Sequence, residues 1–212
     1  MQVGFKVGKV VSDTDGSSPL VCRLARKLAG DLSGLQYFGS IRESNSNQLD
    51  VDLDERLCGA LEKKGWRCDR NPPLNMSALA ENWGRQKADA ILTCNSKSEE
   101  CAVIEIEKSN MKTIWFDFIK LWMFIEAGQA AVGLILCPTN YAHKLDVWNL
   151  YDEACRYKRY LHRFAGVPQD KLRLIGLLGF QQLRVVNGTA RLWDIRELKR
   201  VKQEFRERIA SS

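Results

Sequence analysis

The chain has 212 residues, 45% of them apolar and 27% charged, with 15 glycines and 5 prolines. That length closes one full core and is short for two, and the composition excludes a collagen, a disordered tail and a coiled coil. Lys and Arg number 32 against 26 Asp and Glu, a net charge of +6, which favours a polyanionic partner.

The surplus is uneven. Residues 1–140 carry 17 basic and 18 acidic side chains, whereas residues 141–212 carry 15 and 8. The excess sits in the C-terminal third, as it would for a phosphate-contacting face or for a solvated pair of basic helices. The opening MQVGFKVGKVV lacks the basic-then-apolar pattern of a secretory signal. The most apolar segment, Trp115–Gly128, is broken by Asp117, Lys120 and Glu126 and is too short to cross a bilayer. Seven cysteines with no C-x-x-C pair predict reduced thiols in a cytoplasmic protein. His143 and His162 have no spacing to them that would build a zinc site.

In chain order, Val3, Phe5 and Val7 alternate as a short strand does, and residues 12–18 (SDTDGSS) read as a loop. Leu20–Ala29 is predicted helical, opened by Pro19 and stopped by Gly30. After a loop at 42–47, Leu49–Lys64 repeats Leu49, Leu53, Leu57, Ala60 and Leu61 at helical spacing and stops at Gly65. Trp66–Asp69 is a short strand, followed by an irregular stretch with Pro72 and Pro73. Ala88–Cys94 and Ala102–Glu107 read as two strands of a hairpin joined through NSKSEE. Met111–Ala127 is a helix whose aromatic surface exceeds one stripe, which predicts burial inside the domain or contact with a second subunit. Ala131–Cys137 suits a central strand buried on both faces. Asp146–Phe164 is an amphipathic helix and Leu172–Phe180 a second buried strand. Asn187-Gly188 is a hairpin turn, and Ile195–Ile209 a closing charged helix. The order predicts an α/β fold, a central mixed sheet flanked by helices.

Three acids carry the chemistry. Strand alternation puts Val103, Glu105 and Glu107 on one face and Ile104 and Ile106 on the other. Two like charges on one face of an apolar strand repel each other and cost desolvation, and a divalent cation is the simplest relief. A solvated strand face with Glu beside Glu is the alternative. A hairpin through NSKSEE brings Asp89 alongside Glu105, and three hard oxygen ligands then suit Mg²⁺.

Asp89, the strand–turn–strand ending in IEIEKSN (104–110), the helix with Asp117 and Lys120, and the strand AVGLILC together resemble the BglII/BamHI-type restriction endonucleases of the PD-(D/E)xK nuclease superfamily. Their strand reads approximately V-E-[IV]-E/Q followed by a Ser/Gly-Asn step, with Glu or Gln at the place of the superfamily's usual Lys. Here Glu107 stands at that place. GALEKKGW (59–66), the later amphipathic helix and KLRLIGLLGF fit the family's order. The resemblance spans roughly residues 50–180 and is specific over about 85–137.

The resemblance implies one restriction-endonuclease-like catalytic domain over residues 1–212. It implies a Mg²⁺-dependent type II enzyme that hydrolyses double-stranded DNA at a specific palindromic site and leaves 5′-phosphate ends. It also implies a homodimer, with the Met111–Ala127 helix, or that helix together with the one over 146–164, at the interface. Asp89 and Glu105 would bind one or two Mg²⁺ ions at the scissile phosphate, and Glu107 would ligate metal or orient the attacking water. Glu62 is a candidate fourth polar residue from the preceding helix; an exposed helical Glu is its alternative.

Lys108 falls on the strand face opposite Glu105, so it would contact phosphate or support the acids from behind unless the strand ends or bulges there and lets it swing in; Asn110 is a further candidate DNA contact. Other candidates are Arg156, Lys158, Arg159 and Arg163, interleaved with Tyr157 and Tyr160, and Arg191 with Arg196, Lys199, Arg200 and Lys202. A plain solvent face is the alternative for the terminal helix. Two other functions stay open: a structure-selective repair or junction nuclease of the same fold, and a non-catalytic DNA-binding protein.

Overall fold

The structure, a computed structural model, describes residues 2–40, 53–75, 86–94, 100–107, 114–143, 146–163 and 167–192, with positions 200, 203 and 207. Strand β1 spans Gln2–Asp13, α1 Pro19–Leu32, β2 Gln36–Ser40, α2 Leu53–Glu62 and β3 Trp66–Arg70. Then come β4 Ala90–Cys94, β5 Cys101–Ile106, α3 Ile114–Glu126 and β6 Val132–Pro138. The short β7 Tyr141–His143 and β8 Asp146–Trp148 precede α4 Leu150–Arg163, α5 Gln169–Leu172, β9 Ile175–Val186 and β10 Thr189–Leu192.

These elements make the expected α/β arrangement of a mixed sheet between helices. The strand order is β2-β1-β9-β6-β5-β4-β3, with β10 added on β9. β5, β6 and β9 run parallel, and the other described pairings of this sheet are antiparallel. Parallel neighbours need a crossover, and α3 and α4 supply the two crossovers here. Both lie on one face of the sheet, where Phe118, Leu121, Phe124 and Leu150 pack with Val103, Ile135 and Leu177. α1 and α2 cover the other face, where Leu24, Leu28, Leu57 and Leu61 pack with Ile104, Ile106 and Leu134. β6, between two parallel neighbours and two helical layers, is buried at every position, as its continuous apolar run predicts.

Two glycines let the crossover helices lie close to the sheet. A Cβ on Gly133 of β6 would stand 2.9 Å from Leu121 Cβ, and one on Gly179 of β9 would stand 2.6 Å from Tyr151 Cγ. Neither distance is tolerable for carbon, so α3 and α4 rest on bare backbone at these points.

The strands differ from expectation mainly in length. β1 continues to Asp13, into the predicted loop, because β9 pairs with it along nearly its whole course. β9 itself starts at Ile175 and runs on to Val186; Leu172 belongs instead to α5. Where β6 ends, Asn140 takes over from it. Its Nδ2 donates to Gln182 O at 2.9 Å and its Oδ1 accepts from Gln182 N at 2.8 Å, after which β10 pairs with the rest of β9. The predicted turn holds: Asn187 and Gly188 both take positive φ, 50° and 77°, as a type I′ hairpin requires.

Other boundaries move for local reasons. α1 runs through Gly30 to Leu32, and it is Gly34 that adopts the left-handed φ of 82° after it. The helix expected over 146–164 begins only at Leu150. Asn149 Oδ1 accepts from Asp152 N at 3.1 Å, which caps the helix there, and residues 146–148 pair with β7 instead. β2, a short strand on the sheet edge, is not predicted by the sequence pattern. The aromatic helix is described over Ile114–Glu126; it turns Ile114, Asp117, Phe118, Leu121 and Phe124 inward and leaves Trp115 exposed. The loop at 42–47 lies outside the described residues, as does the helix 195–209 apart from three positions. Among the described residues no helix is long and apolar enough to cross a membrane.

Candidate active site

The three acids singled out in the sequence come together. β4 and β5 are antiparallel partners, with Ala90 opposite Ile104, so continuing the register places Asp89 beside Glu105. Asp89 Oδ2 accepts a hydrogen bond from Ile106 N at 2.7 Å. Glu107 lies one residue past β5 and stays in the ladder through its own N–H, which donates to Leu136 O at 2.9 Å. Val103 packs on the α3–α4 side while Ile104 and Ile106 pack on the other, so the alternation puts Glu105 and Glu107 beneath α3. Both are buried, at 4% and 7% exposure, which excludes the solvated strand face.

α3 contributes two more charged groups. Lys120 Nζ lies 2.6 Å from Glu105 Oε2 and 3.8 Å from Asp117 Oδ1. Asp117, itself buried, shares a hydrogen bond with Glu107. Four carboxylates and one ammonium thus occupy a largely water-excluded space between α3 and the end of β5. Burial pushes the Glu105 carboxyl up to about 9; the neighbouring Asp89 charge adds to this and the Lys120 ammonium offsets only part of it. Burial, and then the Glu107 charge, push Asp117 up to about 7.

The metal fit is one of chemistry. Among the described residues no three His, Cys, Asp or Glu side chains stand as a ready-made ligand group. One oxygen of Asp89 is engaged by Ile106 N–H and one of Glu105 by Lys120. Yet Glu105 Oε1 is buried and accepts no hydrogen bond, an unsatisfied carboxyl oxygen among further acidic side chains. Oxygen-only donors with a spare buried acceptor suit a hard divalent cation.

The remaining candidates lie elsewhere. Glu62 ends α2 on the opposite face of the sheet and is exposed. β3 starts nearby at Trp66, opposite Cys94, five positions along β4 from Asp89, or ~17 Å. Glu62 therefore does not join the acids. Lys108 and Asn110 lie outside the described residues.

Arg156, Lys158 and Arg159 sit on the flank of α4 turned toward the β1–α1 loop. Arg156 pairs with Glu153 at 3.1 Å, and Lys158 Nζ reaches Ser17 Oγ at 3.4 Å. Lys158, Arg159, Arg163 and Arg173 line an open cleft of about 610 Å³ there, facing Asp13 and Asp15. Arg191 is exposed on β10, directly across from Arg184 of β9.

In the sequence Asp117 and Lys120 mark only the helix that carries them. The usable signal was Asp117, a carboxylate on the Ile114–Phe118–Leu121 stripe that faces the core. No protein-family model matches the chain, and no curated protein matches it by sequence.

Proposed function

We propose that this chain is a Mg²⁺-dependent nuclease that hydrolyses phosphodiester bonds of double-stranded DNA at a specific site, with a core like that of the BglII/BamHI-type restriction endonucleases. The observation that carries the reading is Asp89 held beside Glu105 at the end of β5, with Glu105 and Glu107 buried and Glu105 Oε1 unsatisfied. Nothing in folding asks for such a group, since each buried carboxylate costs desolvation.

Asp89 and Glu105 would hold the metal, with Glu107 beside them. Bound there, Mg²⁺ would lower the pKa of a water and neutralise charge on the phosphate in the transition state. The Ile106 N–H fixes the Asp89 carboxylate in place. Glu107, held by its backbone to β6 and by its side chain to Asp117, would orient the attacking water and draw off its proton. The water oxygen would bond to phosphorus as the P–O3′ bond breaks, and the departing 3′ oxygen would take a proton from solvent water, which would give 5′-phosphate and 3′-hydroxyl ends. The surface cations of α4 and β10 would contact backbone phosphates. The family resemblance further suggests a two-fold dimer on a palindromic site, and the free thiols fit a reducing, cytoplasmic compartment.

The deciding experiment incubates purified protein with plasmid and phage DNA in Mg²⁺, beside Glu105→Ala and an EDTA control. Discrete fragments that vanish in both controls establish the activity, and end mapping gives the site. Preference for branched DNA would favour a junction nuclease instead. Salt-sensitive binding without cleavage in any divalent metal would sink the enzyme assignment and leave a DNA-binding protein.

A further inference from the structure

Lys120 occupies a position that the proposed chemistry does not explain by itself. It comes from α3, is only 13% exposed along its side chain, and places its ammonium 2.6 Å from Glu105. That ammonium stands beside the same carboxylate that the nuclease reading assigns to a metal. A second seat lies within reach, because Asp117 Oδ1, one helical turn back on α3, is already 3.8 Å away. The four-carbon stem of lysine can swing between two such acceptors without backbone movement. Two cations on one carboxylate repel strongly at low dielectric, so full occupancy by one weakens the hold of the other.

We propose that Lys120 is the resident occupant of the site: its ammonium holds Glu105 Oε2 in the metal-free protein, and a divalent cation that takes Glu105 drives it toward Asp117. This rests on the reading of the acids as a metal site. Lys120 then sets how much free metal is needed before the site fills, and keeps the buried carboxylates paired when it is empty. It is a positioning residue that acts through Glu105.

The test titrates Mn²⁺ into the full chain without DNA, followed by calorimetry and by the EPR signal of free Mn²⁺. Wild type is compared with Lys120→Met, Lys120→Gln and Lys120→Arg. Competition requires both uncharged variants to bind Mn²⁺ about tenfold or more tightly than wild type, and Lys120→Arg to stay within about threefold of it. Equal shifts in all three would mean that the stem merely packs, and would overturn the proposal. Unchanged affinity in the uncharged variants would also overturn it, while leaving the metal reading intact. No Mn²⁺ binding by any of the four folded proteins would overturn both.

A second measurement needs no uncharged variant. In wild type, the ¹⁵Nζ resonance of Lys120, assigned by its absence from Lys120→Arg, is expected to move on saturation with Mg²⁺. A resonance that stays in place while Mg²⁺ binds would sink the displacement.

Discussion

Asp89 Oδ2 accepts the Ile106 N–H at 2.7 Å, so the acid just ahead of β4 is tethered to the peptide between Glu105 and Glu107. One hydrogen bond thereby sets the spacing of all three proposed metal-site acids. Asp89→Asn can keep this acceptor through its amide oxygen while losing the charge. Asp89→Ala loses both and leaves a buried N–H unpaired, which costs about 1–3 kcal/mol. Both variants are expected to lose cleavage by about a hundredfold or more. Urea denaturation should then separate them, with Asn near wild type and Ala clearly weaker.

The raised carboxyls make stability depend on pH. A carboxyl whose folded pKa is raised binds its proton more tightly when folded than when unfolded. Its contribution is therefore full below the ordinary value and is lost as pH climbs through the folded one. For Asp117 that window runs from 3.8 to about 7, and for Glu105 from 4.5 to about 9. The metal-free protein should lose stability steadily from acid to mildly alkaline pH. Asp117→Asn should flatten the lower part of that slope and Glu105→Gln the upper part, as read from Tm between pH 5 and 9. Stability that rises over this range would contradict the burial of these groups.

Much of this site was legible before any coordinates, and the reasons are local. Alternation along IEIE, with apolar partners on the other face, was enough to put Glu105 and Glu107 together, and the short hairpin was enough to add Asp89. Lys120 was different, because its distance to Glu105 depends on how α3 crosses from β5 to β6. β2 was missed because QYFGS has little apolar alternation of its own and is paired along its length by β1. The start of α4 is set instead by a cap: the Asn149 side chain outweighs an amphipathic pattern that extends past it.

Tyr37 and Gln182 tie the edge of the sheet to its middle. Gln182, fully buried on β9, donates from Nε2 to the Tyr37 hydroxyl of β2 at 2.8 Å. Tyr37→Phe removes that acceptor inside the core and should cost about 1–3 kcal/mol in chemical denaturation. Cleavage by the folded fraction should be unchanged, since the pair lies on the sheet face away from α3.

The α4 cations should act on affinity alone. If Arg159 and Arg163 meet DNA phosphates, replacing each by Ala lowers the slope of log K against log salt by about 1. The loss should be the same for cognate and unrelated DNA. A loss confined to the cognate site would make them base readers instead.

Gly133 connects packing to electrostatics. Leu121, the side chain that settles onto its bare backbone, immediately follows Lys120 in α3. The height of the helix above β6, and with it the reach of the ammonium to Glu105, is thus governed by one missing methyl on an uncharged strand. Selection acting on the size of that residue would tune the grip of an ion pair on the neighbouring strand, with no charged group altered.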